Sequence, residues 1–247
     1  MAKDAKSAFC EDSRVKFPTL MHLMGMGFKY VSLKGLKTKY VEAPKTEFDP
    51  LTNILTDYFT DAYCTLNPKA EKKDAEDMLV KIQKSLQNDD LGRQFYNEIL
   101  LNTGERIIDL SSPANFYRNN TFQVTTEMSC GSKDSDNYRP DITIFVNGLP
   151  LAFIEVKKEN NHKGIQAETD RMKQRFVNPQ YRRFLNITQI MVFSNDMEYD
   201  NNEVTPTIGA FYATIGKKNT KYNCFREEGQ DSFPTARHIH QVTPEEE

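Results

Sequence analysis

No two cysteines stand close enough in this chain to build a metal knuckle or a disulfide framework: Cys10, Cys64, Cys130 and Cys224 are scattered through 247 residues without a CxxC pair. Four isolated thiols fit a reducing compartment. Long apolar runs are missing too. The opening "MAKDAKSAFCEDSRVKF" mixes charges where a signal peptide needs an apolar centre, and no later stretch reaches membrane-spanning length. These absences predict a cytoplasmic chain with no membrane partner. Histidine is sparse, and the pair His238 and His240 has no acidic or thiol neighbour at ligand spacing, so it reads as loop. A GxxxxGK[ST] phosphate loop is also absent, because "IGKKNT" near Lys217 lacks the first glycine. Finally, there is no excess of positive charge: the net is -3 and the isoelectric point about 5.9, which argues against a non-specific nucleic-acid coat.

What is present suits a water-soluble globular chain. Hydrophobic residues make up 38% and charged residues 27%, and the length allows one large domain with a sizeable core. A mean hydropathy of -0.66 predicts polar loops or a loose terminus. Charge is uneven along the chain. Between Lys157 and Arg183 eight basic residues face three acidic ones, a local +5 that leaves about -8 elsewhere. Such a strip either faces phosphate or forms a solvated helix face.

Apolar spacing predicts helices in the first half. "FPTLMHLMGMGF" reads as a short helix through Leu20, Leu23 and Met24, closed by Gly25 or Gly27. Met24, Met26 and Phe28 fit a core better than a partner-binding patch. Leu51, Ile54, Leu55, Tyr58, Phe59 and Ala62 form a second stripe. Asn67-Pro68 predicts the start of a third helix, with Ala75, Met78, Leu79, Ile82 and Leu86 on one side. Leu91, Phe95 and Ile99 mark a fourth, ended by Gly104. After Ser111 the texture becomes that of strands. "TFQVTTEM" alternates, "ITIFVNGLPLAFIEV" folds back on a turn, residues 165–178 form a helix with Ile165, Met172 and Phe176 inward, and "NITQIMVFSN" is a further strand. Strand, helix, strand implies a crossover and a parallel pair. The expectation is an α/β fold with a mixed β-sheet, antiparallel then parallel, flanked by helices. Its boundaries are 1–216, with the sheet from about 120, and a polar segment 217–247 of loops and partial disorder.

The hairpin poses a chemical question, because Asp141 opens its first strand while Glu155 and Lys157 interrupt the second. Charge in a half-buried hairpin is costly unless it is paired or binds a metal. A two-residue turn at Asn147-Gly148 would pair Asp141 with Ile154 and set the two acids on opposite faces. A three-residue loop, Val146-Asn147-Gly148, with Gly148 left-handed in a bulge, pairs Asp141 with Phe153 instead. Ile142 and Ile144 then share a face with Ala152, Ile154 and Val156, and the other face carries Asp141, Glu155 and Lys157. Diagonal neighbours with Cβ atoms about 7 Å apart let two carboxylates converge on one ion, about 2.1 Å from each oxygen. Mg2+ suits such a site, with the Val156 carbonyl completing the protein's share. Lys157 points the same way and can hold an attacking water. The competing reading is a surface ion pair on a twisted hairpin.

These residues carry a resemblance. Pro140-Asp141 followed by Glu155-Val156-Lys157 matches the PD-(D/E)xK nuclease signature, and "YRPDITIFVNGLPLAFIEVKKEN" resembles the N-terminal nuclease domain of the restriction (R) subunit of type I restriction-modification enzymes. "LMHLMGMGFKYVSL", the helices leading to "LNTG", "SSPANFYRNNTFQVTTEM" and "ITQIMVFSN" extend the likeness over roughly residues 17 to 215. It implies a restriction-endonuclease-like fold and a Mg2+-dependent endonuclease acting on double-stranded DNA. Asp141 and Glu155 would bind metal with Val156, and Lys157 would serve the nucleophile. It also implies modification (M) and specificity (S) subunits as partners, with ATP used only by a translocase that this chain lacks, so the sequence is expected to be a fragment or a truncation. Lys158, Lys163, Gln166 and Lys173 are the expected DNA-binding residues. The chain departs from the resemblance in the helix after the hairpin, where Met172 and Phe176 stand in place of Gln and Tyr. Gln166 and Lys173, seven apart on one helix face, are the proposed substitutes. A non-catalytic DNA-binding or assembly module on the same fold, and a stand-alone repair or junction nuclease, are the rival readings. The intact Asp141, Glu155 and Lys157 weigh against the first and the family-like flanks against the second.

Overall fold

The computed structural model describes residues 12–37, 42–43, 45–102, 104–130, 138–157, 164–195, 210–214 and 223–225. A seven-stranded mixed sheet organises them, in the order β1-β4-β5-β6-β7-β8-β9. The strands are β1 (Lys29–Tyr30), β4 (Phe122–Thr126), β5 (Ile142–Val146), β6 (Leu149–Val156), β7 (Ile190–Ser194), β8 (Ala210–Thr214) and β9 (Asn223–Phe225). A small antiparallel pair, β2 (Leu36–Lys37) and β3 (Glu42–Ala43), stands apart. The centre follows the sequence expectation: β4, β5 and β6 are antiparallel, and β7 runs parallel to β6 after the crossover. At the edges the pattern continues differently, with β1 parallel to β4 and β8 and β9 antiparallel. With helices on both faces, this is a restriction-endonuclease-like fold.

Two expectations at the periphery need correction. Beyond Gly216 the polar sequence predicts loops and partial disorder, yet β9 completes the sheet edge. Three residues are too few to show a period in sequence, and the unpaired N-H and C=O groups of β8 suffice to hold them. Asn67-Pro68 does not begin a helix. Asn67 caps the C-terminus of α2 (Thr56–Leu66), its amide donating to the Tyr63 and Arg106 carbonyls. The next helix, α3 (Lys72–Ser85), starts one turn later, where Glu71 and Asp74 satisfy each other's backbone in a reciprocal cap.

The helices bury most of the stripes that the spacing predicts, although Leu51, Ile54 and Leu55 precede α2 and Leu51 is exposed. On one sheet face α1 (Phe17–Gly25) lays Leu20 and Leu23 over Val124, Ile142, Ile154 and Val156; Phe28 joins them, whereas Met24 and Met26 are exposed. On the other face α5 (Gly164–Val177) and α6 (Arg182–Ile187) pack Met172, Phe184 and Leu185 against Phe153, Met191 and Phe193. Met172 is fully buried and Phe176 lies against the same cluster, so both positions serve the core. At the hairpin end, α2, α3 and a short helical segment Phe95–Leu100 enclose Val146 and Leu149. A helix absent from the sequence reading, α4 (Pro113–Asn119), begins on Ser112, which accepts from the Asn115 N-H, with Pro113 in the first turn.

Candidate active site

The catalytic-looking hairpin reaches its shared face by a different device from the one expected. Its loop has two residues, not three. Asn147 (φ 53°) and Gly148 (φ 77°) are both left-handed, as a type I′ turn requires, and Val146 pairs with Leu149. Alone, that turn would separate the acids. The register then slips by one residue, from Phe145 opposite Pro150 to Ile144 opposite Ala152, leaving Leu151 as the extra residue. Pro150 has no N-H to contribute to a ladder, which is why a bulge settles beside it. The Leu151 carbonyl turns to β7 instead and accepts from the Gln189 N-H at 2.7 Å.

Beyond the bulge Ile142 pairs with Ile154, so Asp141 and Glu155 lie one step past the last rung on the same side. The side-chain parity inferred from the apolar pattern is therefore the observed one.

The tight turn is held by its neighbours. Asn147 is fully buried; its carbonyl oxygen accepts from the Thr121 N-H at 2.8 Å, and its amide donates to the Ile107 carbonyl and to Asn120. Gly148 sits against the start of α2, where its carbonyl accepts from the Leu55 N-H. A Cβ at this position would lie 2.6 Å from the Leu55 carbonyl oxygen. The register is thus fixed at the turn.

Around Asp141 both carboxylate oxygens are engaged. One accepts from the Val156 N-H at 2.9 Å, and the other meets the Lys16 ammonium at 3.2 Å. Lys16 precedes α1 and also reaches Asp12 (2.9 Å) and Glu127 (3.1 Å). Burial pulls its pKa down, but the hydrogen bonds that it donates to Asp12 and Glu127 and the Asp141 charge outweigh that and raise it. Sequence reasoning missed this residue, because Lys16 and Asp141 are far apart in the chain and no local pattern links them.

Glu155 is poorly satisfied, as is the Tyr138 hydroxyl beside it. It is 5% exposed, and its Oε1 is buried without a hydrogen-bond partner. The Tyr138 hydroxyl faces it without reaching hydrogen-bonding geometry, and Lys157 lies 3.7 Å from its other oxygen. Burial, and then the nearby Glu168 and Asp141 charges, push the Glu155 pKa up to about 8, against a smaller downward pull from Lys157.

Lys157 donates to the Val156 carbonyl at 2.8 Å and lies 3.3 Å from Glu168. Glu168, on α5, is a second functional residue that the sequence reading passed over. Its carboxylate is 1% exposed and meets three cations: Lys157, Arg171 at 2.8 Å and Arg175 at 2.7 Å. Arg175 in turn stacks 3.8 Å over the Tyr138 ring. Asp141, Glu155, Lys157, Arg139 and Arg171 open into a cavity of about 520 Å³.

The expected DNA-binding residues fare differently from the hairpin trio. Lys158 and Lys163 lie outside the described residues. Gln166 is on α5, with only its backbone described. Lys173 is exposed, pairs with Asp170 at 3.0 Å, and does not line the cavity. The basic strip of the sequence is therefore divided: Arg171 and Arg175 turn toward the site and Lys173 away from it.

The donor set suits a hard cation. Among the described residues no group of three or more His, Cys, Asp and Glu side chains is arranged to hold a metal. An ion here would take two carboxylates and the Val156 carbonyl and keep several waters, which is how Mg2+ is commonly held. The orphaned Glu155 oxygen is the acceptor such an ion would satisfy. Among the described residues no helix is long and apolar enough to cross a membrane.

Similarity to known proteins narrows the reading. Over 108 residues the chain is 30% identical to the type I restriction enzyme SauCOLORF180P endonuclease subunit of Staphylococcus aureus (strain COL), a match covering 42% of this chain and 11% of that protein. The SauMSSORF170P endonuclease subunit of Staphylococcus aureus (strain MSSA476) matches with the same identity and coverage. The chain thus spans about a tenth of the length of these curated relatives. The family model described as the type I restriction enzyme R protein N terminus matches residues 9–204, most of the sequence, and the chain belongs to that family.

Proposed function

We propose that this chain is the Mg2+-dependent endonuclease part of a type I restriction enzyme R subunit, hydrolysing phosphodiesters of double-stranded DNA. The observation that carries the reading is the bulge at Leu151, which turns Asp141 to the side of Glu155 and Lys157 and aims all three into one charged cavity. Asp141, Glu155 and the Val156 carbonyl would hold the ion, and bound Mg2+ would supply Lewis acidity at the scissile phosphate. Asp141 is oriented for this by Lys16 and the Val156 N-H. Lys157, held by Glu168 once the Val156 carbonyl turns from its ammonium to the ion, positions the water whose oxygen bonds to phosphorus as the bond to the leaving sugar oxygen breaks. Its ammonium also offsets the charge that develops on the phosphoryl oxygens.

The relatives' names support assignment to a restriction system. Double-stranded DNA, M and S subunits as partners, ATP use by a separate translocase, and a cytoplasmic location belong to the same proposal. The test is cleavage of duplex DNA in Mg2+ by the assembled enzyme carrying Asp141→Asn, Glu155→Gln or Lys157→Met. Catalysis of this kind lowers barriers by about 8 to 23 kcal/mol, so each change should abolish cutting rather than trim it. Cutting at the parental rate by any of the three would overturn the assignment.

A further inference from the structure

We infer that Arg171 is a phosphate-binding residue of the site and that Glu168 is the positioning residue that holds it there. This deepens the nuclease reading and rests on it. Glu168, Arg171 and Arg175 are spaced at i, i+3 and i+7, which sets them on one face of α5 turned to the hairpin. Their exposures differ in a way that assigns roles. Glu168 is closed off from solvent, the Arg175 side chain is 19% exposed and stacked on Tyr138, and the Arg171 side chain is 53% exposed. A guanidinium carries five donors. Arg171 directs Nη2 to Glu168 at 2.8 Å and lines the cavity that also receives Asp141, Glu155 and Lys157. An arginine fixed on one edge and open on the other is suited to grip a phosphate with two parallel N-H groups.

The charges around the cavity support an anionic occupant. Four cations, Arg139, Lys157, Arg171 and Arg175, face three acids, Asp141, Glu155 and Glu168. Two of those acids are the proposed metal ligands, so a divalent ion would leave the cavity strongly positive. Lys157 and Arg171 both lean on Glu168, which places the water-positioning ammonium and the phosphate clamp on a single buried strut.

The experiment measures binding of the 247-residue chain to a fluorescein-labelled DNA duplex by anisotropy, in EDTA, over a range of chloride concentrations. The parent is compared with Arg171→Met, Arg171→Lys, Glu168→Gln, the double variant Arg171→Met with Glu168→Gln, and Lys81→Met, which removes a charge paired with Glu105 away from the site. One lost phosphate contact makes the slope of log affinity against log salt shallower by about 1. That change is expected for Arg171→Met and absent for Lys81→Met, with Arg171→Lys between them. In the Glu168→Gln background the same Arg171 substitution should change the slope by less than half as much, because the clamp is no longer held. A parental slope for Arg171→Met, an equal effect with and without Glu168, or no binding by the parent would each overturn the inference. Mg2+-dependent cleavage by Asp141→Asn, followed in parallel, reports separately on the nuclease reading.

Discussion

Glu155 carries a pH dependence large enough to measure without any assay of activity. In the folded chain its carboxyl titrates at about 8, against an ordinary value of 4.5, because burial and the Glu168 and Asp141 charges oppose ionisation. In the unfolded chain it loses its proton near 4.5. Between those values the folded state binds the proton and the unfolded state does not. The contribution of Glu155 to stability is therefore fully present below pH 4.5 and is lost as pH rises toward 8. Each pH unit is worth about 1.4 kcal/mol, so the whole interval amounts to about 5 kcal/mol, and to roughly half that once water follows the ionised group inward. Glu155→Gln keeps the shape and removes the titration. Urea denaturation of parent and variant in EDTA, at about pH 5 and about pH 9, isolates the titration of Glu155 with the charges coupled to it, because groups that do not interact with Glu155 cancel in the difference. The variant should gain about 2 to 5 kcal/mol on the parent across that range, with a melting temperature higher by roughly 5 to 15 °C at the alkaline end. A difference that stays constant with pH, or that favours the parent as pH rises, would refute the reasoning, since it would mean that Glu155 is ionised and paired in the fold.

Two further perturbations probe how the site is held. Gly148→Ala forces a side chain at φ 77° into the Leu55 carbonyl, so it should destabilise the chain by about 2 to 5 kcal/mol in denaturant titration. Lys16→Met leaves Asp12, Glu127 and Asp141 without their shared cation and should cost about 1 to 3 kcal/mol in EDTA. That loss should shrink in Mg2+, which replaces the missing charge at Asp141, and an equal loss with and without Mg2+ would argue that Lys16 and the ion do not share that carboxylate.

The sequence revealed the parity of the hairpin but not its mechanism. Ile142, Ile144, Ile154 and Val156 had to share a buried face, and that requirement alone turns Asp141 toward Glu155. Whether the extra residue sat in the loop or at Leu151 was not decided by the pattern, because both placements give the same alternation. The choice was made by contacts distant in sequence, chiefly the buried Asn147 amide bonded to Thr121, Ile107 and Asn120. Glu168 did leave a trace. In the sequence it falls between Ile165 and Met172, on the stripe that the spacing predicts to face inward, and an acid on a buried stripe calls for cations nearby. The block of positive charge from Lys157 to Arg183 masks that trace, since Arg171 and Lys173 point to different sides of the same helix. Lys16 left none, for its partners Glu127 and Asp141 are joined to it only by the folding of α1 against the sheet.

The most direct test of the central claim is the position of a divalent ion, read from anomalous scattering of Mn2+ in crystals of this chain. One peak is predicted, bounded by the carboxylates of Asp141 and Glu155 and the carbonyl of Val156, and it should vanish in Asp141→Asn. A peak remote from that triangle, or none at saturating Mn2+, would contradict the account.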